Sequence, residues 1–220
     1  MPRILLEACV ETLAGAISAE EGGAGRVEVC TALQVGGLTP PDALIDECIR
    51  RLTIPVFVLV RPRAGSFVLA SSARDQMVEE IRRVAGLGAA GIVAGALTED
   101  DTVDRHAVEA ILAAADPLPV TFHRAFDAIV DQPAALELLI QLGVSRVLTS
   151  GGAPTAAEGV APLRALVEQA AGRIGILAGG SVRAHNAAAL VRSTGVTEIH
   201  SRTPANADDV RTLVRTANSA

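Results

Sequence analysis

Lysine is missing from this sequence: all 19 basic residues are arginine. A Schiff base through a lysine amine is therefore impossible, which removes lysine-dependent aldolases and pyridoxal-phosphate enzymes together. A GC-rich coding bias would produce the same swap, and the chemical exclusion holds either way. Trp and Tyr are absent too, and four Phe are the only aromatic residues. Platforms for stacking the bases of single-stranded nucleic acid are nearly lacking. There is no basic run, and the formal net charge is −6, so a nucleic-acid partner is not expected. No apolar run approaches the roughly 18 to 20 residues of a membrane span, and the opening MPRILLEACV lacks the layout of a secretory signal. A cytoplasmic protein without a membrane partner is expected. The cysteines Cys9, Cys30 and Cys48 make an odd count, so reduced thiols are expected in place of a disulfide framework.

What is present is a chain of 220 residues that is 50% hydrophobic, enough for one large core. Short apolar runs recur at even spacing: ILLEAC (4–9), RVEVC (26–30), PVFVLV (55–60), GIVAG (91–95), PVTFH (119–123), RVLTS (146–150), IGILAG (174–179) and VTEIH (196–200). Rich in Val and Ile and flanked by Gly or Pro, they read as buried parallel strands. Stretches with helical spacing lie between them, such as 72–88, 105–115 and 132–143. The segment TPPDALIDECIRRL (39–52) predicts a helix capped by Thr39 with Pro40 in its first turn, and Gly88, Gly143 and Gly195 sit where helix C-caps belong.

An internal repeat supports this alternation. GAGRVEVC (23–30), GAAGIVAG (88–95), GVSRVLTS (143–150) and GVTEIHSR (195–202) superpose as Gly, three linker residues and a strand. The chain therefore reads as four βαβα copies. With a last helix over 204–219, residues 1–220 are expected to form one (β/α)₈ barrel domain. An open doubly wound sheet is the alternative, and the lack of a GxGxxG after the first strand argues against it.

Chemistry in such a barrel is done at the C-terminal ends of the strands. The polar residues that finish the apolar runs then line up: Glu7 and Cys9 on the first strand, Glu28 and Cys30 on the second, Arg61 on the third, His123 on the fifth, His200 on the eighth. Alternation puts Glu7 with Cys9, and Glu28 with Cys30, on shared faces. Glu7, Glu28 and His200 are expected side by side, the two thiols one layer higher, with Arg61 and His123 as partners for the buried carboxylates. Cys9 and Cys30 also read as small core hydrophobes, Cys48 as a mid-helix core residue, and His106 and His185 as helix-surface residues. The loops SGG (150–152) and GGSV (179–182) offer backbone N–H groups of Gly151, Gly152, Gly179, Gly180 and Ser181 to an anion, or are only tight turns.

These segments together resemble one family. LLEAC (5–9), RVEVC (26–30), GGLTP (36–40), IPVFVLVRPR (54–63), VTFHRAFD (120–127), RVLTSGG (146–152) and EIHSR (198–202) are similar, in order, to the CutC family of copper homeostasis proteins. The resemblance implies a cytoplasmic (β/α)₈ barrel that binds Cu(I) through Cys9 and Cys30, and further turns beyond the last strand that this sequence stops short of. Soft thiolates from adjacent strands suit linear or trigonal Cu(I). The hard and borderline groups point to a second function, an enzyme acting on a small anionic, phosphorylated or sugar-like substrate. In it His123 or a glutamate is acid or base, and Arg61, Arg63 and Arg124 hold the anion. A divalent metal on Glu7, Glu28 and His200 is a variant of that reading. Ala-rich outer helices lead to the expectation of a homo-oligomer.

Overall fold

Eight Val- and Ile-rich runs, apolar on both faces, need cover on both faces, and helices supply it on the outside. The computed structural model describes residues 3–202 and 206–220. Its strands are β1 (Leu5–Val10), β2 (Arg26–Val29), β3 (Val56–Leu59), β4 (Gly91–Ala94), β5 (Val120–Phe122), β6 (Arg146–Thr149), β7 (Gly175–Ala178) and β8 (Glu198–Arg202). All are parallel, each pairs with the next, and β8 returns to β1 to close a (β/α)₈ barrel. The helices are α1 (Leu13–Glu21), α2 (Asp42–Arg51), α3 (Ser71–Gly86), α4 (Arg105–Ala115), α5 (Gln132–Leu142), α6 (Val160–Ala170), α7 (Ala184–Thr194) and α8 (Ala207–Ala217). Outward side chains such as Val27, Val29 and Ile92 pack with Ile45, Met77, Ile81 and Leu163 of the helices in one continuous core. No helix among the described residues is long and apolar enough to cross a membrane.

Element boundaries follow local chemistry. Asp104 and Asp131 accept from the backbone N–H two or three residues into α4 and α5, and glycines 143 and 195 end α5 and α7 in the left-handed region. One expectation needs correction. Thr39 does not cap α2: the helix starts at Asp42 behind Pro41, without a side-chain cap. The Thr39 hydroxyl instead accepts from Arg61 N–H at 2.9 Å and donates to Glu80 at 2.8 Å, tying α3 to the end of β3. Gly88 ends α3 as expected: it follows the cap residue Leu87 with left-handed backbone at φ 95°. Of the predicted last helix, 204 and 205 lie outside the described residues, and α8 begins after Asn206, whose side chain accepts from Asp209 N–H at 3.0 Å.

Strand register fixes what points inward. Glu7 is level with Arg26 and His200, Cys9 with Glu28, Glu28 with Phe57, and Phe57 with Gly91. Cys9, Cys30, Phe57, Leu59 and Val93 form an inner apolar cluster separate from the outer core. Beneath it, the even-numbered strands supply one basal layer of four, Arg26, Gly91, Arg146 and Glu198. Arg26 bridges Glu7 at 2.5 Å and Glu198 at 2.6 Å, and Arg146 joins Glu198 at 3.2 Å. Phe57 lies among them, with the Arg26 and Arg146 guanidinium carbons 4.9 and 5.2 Å from its ring centroid. A Cβ at Gly91 would fall 2.4 Å from that ring, so the missing side chain on β4 makes the space that Phe57 fills.

Candidate functional site

Above the basal layer the inward side chains turn to chemistry. Glu7 on β1 is fully buried; its Oε2 accepts from Arg26, and its Oε1 meets His200 Nδ1 at 2.8 Å. Burial alone would raise its pKa, but the hydrogen bond to His200 and the charge of Arg26 hold the carboxyl down at about 2. His200 loses protons to burial less than it gains from Glu7 and Glu28, and its pKa is raised. The two form a hydrogen-bonded pair inside the barrel, with Arg26 as the third member.

Glu28, on the neighbouring strand, is the opposite case. Burial raises its pKa to about 7, offset in part by His200 and reinforced by the negative charge of Glu7. Its Oε1 accepts from Cys9 Sγ at 3.5 Å, while its Oε2 is buried without a hydrogen-bond partner. Cys9 and Cys30 place their sulfurs 3.5 Å apart, and Cys30 also donates to Val10 carbonyl at 3.6 Å. Contact with Cys30, then burial, then the charge of Glu28 push the Cys9 thiol well up. Two groups of potential ligand atoms thus overlap at Glu28: Cys9, Glu28 and Cys30, and Glu7, Glu28 and His200. Cys9 is level with Glu28 in the sheet, so Cys30 stands above both carboxylates while Cys9 stands above Glu7 alone.

The carboxylate partners expected from the sequence also change. Glu7 is met by Arg26 and His200, because both start or cross the neighbouring strands at its level. Arg61 instead donates to three backbone carbonyls, Val35 (3.0 Å), Gly37 (2.9 Å) and Gly65 (2.9 Å), pinning the loops after β2 and β3. His123 directly follows β5, 5% exposed, with Nδ1 accepting from Ala125 N–H at 3.3 Å. Burial, and then the nearby charge of Arg61, lower its pKa to about 4, so the imidazole is neutral. Because Nδ1 accepts, Nε2 carries the hydrogen, and Nε2 is buried without a partner.

The SGG loop is occupied from within. The Asp127 carboxylate accepts from Ser150 N–H (2.9 Å), Gly152 N–H (3.1 Å) and the Thr149 hydroxyl (2.5 Å), and Gly151 N–H goes to Thr149 Oγ1 at 2.8 Å. The backbone donors of Ser150 and Gly152 thus hold the chain's own carboxylate, that of Gly151 goes to the Thr149 hydroxyl, and none of the three is offered to a ligand. Gly179 N–H is likewise spent on Thr149 carbonyl at 2.9 Å, and Arg63 reaches Val68 carbonyl at 2.9 Å on an exposed loop. Gly180, Ser181 and Arg124 do reach the mouth, a cavity of about 510 Å³ that also touches Cys9, Glu28, Arg61, His123 and His200. Arg26, Arg146, Glu198 and Asp127 escaped the sequence reading. Strand parity could have found two of them, since Arg26 and Glu198 stand two residues before Glu28 and His200.

Fold and site define a (β/α)₈ barrel with an ionic base, a thiol pair inside and an arginine-lined mouth. The family model described as the CutC family matches residues 4–205, and this chain belongs to that family. It is 45% identical over 195 residues to a CutC family protein of Pasteurella multocida, covering 89% of this chain and 80% of the relative. A human relative named copper homeostasis protein cutC homolog is 43% identical over 196 residues, covering 89% and 72%. The crystal structure of a CutC protein from Streptococcus agalactiae superposes with a TM-score of 0.86 at 37% identity, covering 90% of this chain and 97% of that one. A structure titled "QR15, an Aldolase" superposes at 0.69 with 16% identity over 97% and 93%, which is likeness of fold alone.

Proposed function

We propose that this protein binds Cu(I) through Cys9 and Cys30 as part of copper homeostasis in the cytoplasm. The observation that carries this reading is the 3.5 Å separation of the two buried sulfurs. With metal–sulfur bonds of about 2.3 Å, that separation corresponds to an angle at the metal of roughly 100°. The pair therefore suits a bent or trigonal site over a linear one, with the Glu28 carboxyl oxygen 3.5 Å from Cys9 Sγ as the third group at hand. Soft thiolates favour Cu(I) over harder cations, and a reducing compartment keeps them available. The relatives named for copper homeostasis support the same assignment. Anaerobic titration with Cu(I), in competition with a chromogenic chelator, should give one ion per chain, and Cys9→Ser/Cys30→Ser should abolish it. Equal uptake by the double variant would refute the reading.

A further inference from the structure

Among the described residues four buried side-chain polar atoms lack a hydrogen-bond partner: Glu28 Oε2, Arg61 Nε, His123 Nε2 and Arg74 Nε. The first three belong to residues that line the same mouth cavity. Buried polar groups are almost always satisfied, so a cluster of exceptions among the residues lining one cavity marks a place for a partner from outside the chain. Their chemistry is defined. Arg61 Nε is a donor at any working pH, and His123 Nε2 is a donor because Nδ1 already accepts from Ala125. Gly95 leaves the imidazole its room, since a Cβ there would fall 2.9 Å from the ring.

The charge of the lining points the same way. The chain carries a net −6, yet the cavity lining holds Arg61, Arg124, Arg183 and Arg202 beside the carboxyl of Glu28, with Arg124 paired to Asp127 at 2.8 Å and Arg202 to Glu11 at 3.6 Å. At the rim, Gly180 and Ser181 take left-handed backbone at φ 108° and 57° just before α7, where the start of an eleven-residue helix adds positive potential.

We propose that the mouth is a binding site for a small anionic metabolite, a phosphate monoester or carboxylate, one of whose oxygens accepts from His123 Nε2. The anionic end lies toward Arg183 and Arg202, and a hydroxyl or carbonyl oxygen meets Glu28 Oε2. A volume of about 510 Å³ is within the range of small-molecule sites. The site shares its cavity with Cys9, while Cys30 lies buried behind it, and it does not depend on either thiol.

Calorimetry on the full metal-free chain near 0.15 M salt, with inorganic phosphate, glycolate and ribose 5-phosphate as probes, tests this. At least one should bind saturably and one to one. Ribose 5-phosphate winning over glycolate identifies a phosphate ester, and the reverse a carboxylate. His123→Phe should weaken binding about tenfold or more, as loss of a hydrogen bond to a charged group does, and Arg202→Gln should weaken it several-fold. Cys9→Ser/Cys30→Ser should leave it unchanged, which separates this site from the copper reading. A shift of the His123 ¹⁵Nε2 resonance on saturation of the unmutated chain provides a readout that does not depend on a variant folding. No saturable binding up to about 10 mM, binding indifferent to His123→Phe, or an unmoved His123 resonance would overturn the proposal.

Discussion

Replacing Arg26 with Met keeps most of the side chain's length and apolar stem while deleting its charge. Glu7, fully buried, then loses the guanidinium 2.5 Å from its Oε2 and keeps only His200, and Glu198 keeps only Arg146. Removing one partner of a buried ion pair costs about 3–5 kcal/mol, because a charge remains uncompensated in a low dielectric. Loss of the cation above the Phe57 ring adds about 0.5–2 kcal/mol. Against a total stability of about 5–15 kcal/mol, this is a large fraction. At about 2–4 °C per kcal/mol for a domain of this size, the ion-pair loss alone should lower Tm by roughly 6–20 °C. The assay is chemical and thermal unfolding followed by circular dichroism, with Glu7→Gln and Glu7→Gln/Arg26→Met completing a double-mutant cycle. The double variant should recover much of the loss, since a neutral amide no longer needs the cation. The cost in Arg26→Met should also shrink as pH falls, because protonation removes the charge left exposed to the loss. If Arg26→Met stays within about 1 kcal/mol of the parent, or the two substitutions simply add, the reasoning is wrong.

Glu28→Gln should make the protein more stable at pH 8 than the parent but not at pH 4. The folded-state pKa of about 7 stands above the 4.5 of an ordinary glutamate, so the parent's contribution is full below pH 4.5 and is lost as pH rises through 7, to at most about 3 kcal/mol. Urea melts across that range should show the slope flattened in the variant; an unchanged slope would remove Glu28 as its source. Gly91→Ala should be strongly destabilising, since its methyl would overlap the Phe57 ring. The added variant Phe57→Leu should restore part of the loss, and a Gly91→Ala protein with the parent's melting temperature would contradict the described packing.

The eight strands were legible because strands buried on both faces must be apolar throughout, and the repeat GxxR/G/E marked the starts of the four even-numbered ones. The same repeat held the basal layer in plain view: its fourth positions are Arg26, Gly91, Arg146 and Glu198. These four stand at the beginnings of the apolar runs, whereas barrel chemistry is done at their ends, so their residue types carry no signal of a catalytic role. Parity correctly grouped Glu7 with Cys9 and Glu28 with Cys30. It could not assign partners, because the tilt of the strands decides which level of one side chain meets which level of the next. The SGG loop shows a different limit. Its donors do bind a carboxylate, but Asp127, about two dozen residues earlier, supplies it, and no local pattern reveals a contact of that span. Thr39 was drawn from its cap position by Arg61 and Glu80, partners in other elements.

The ionic base has a consequence for how the chain assembles. Arg26 and Arg146 bring two positive charges into the barrel, and the opposing negative charges come from Glu7 on β1 and Glu198 on β8. The contact of Glu7 with His200 spans 193 positions and that of Arg26 with Glu198 spans 172. During synthesis β1, β2 and β6 emerge first, so a partly made barrel holds two cations against one anion. Burying that excess is uphill, and the incomplete sheet still carries two unpaired edges. Arrival of β8 closes the hydrogen-bond ladder and brings Glu198 to Arg26 and Arg146 together with His200 to Glu7. The last strand thus seals the sheet and completes the interior ion network in the same step, so neither is finished before nearly the whole chain is made.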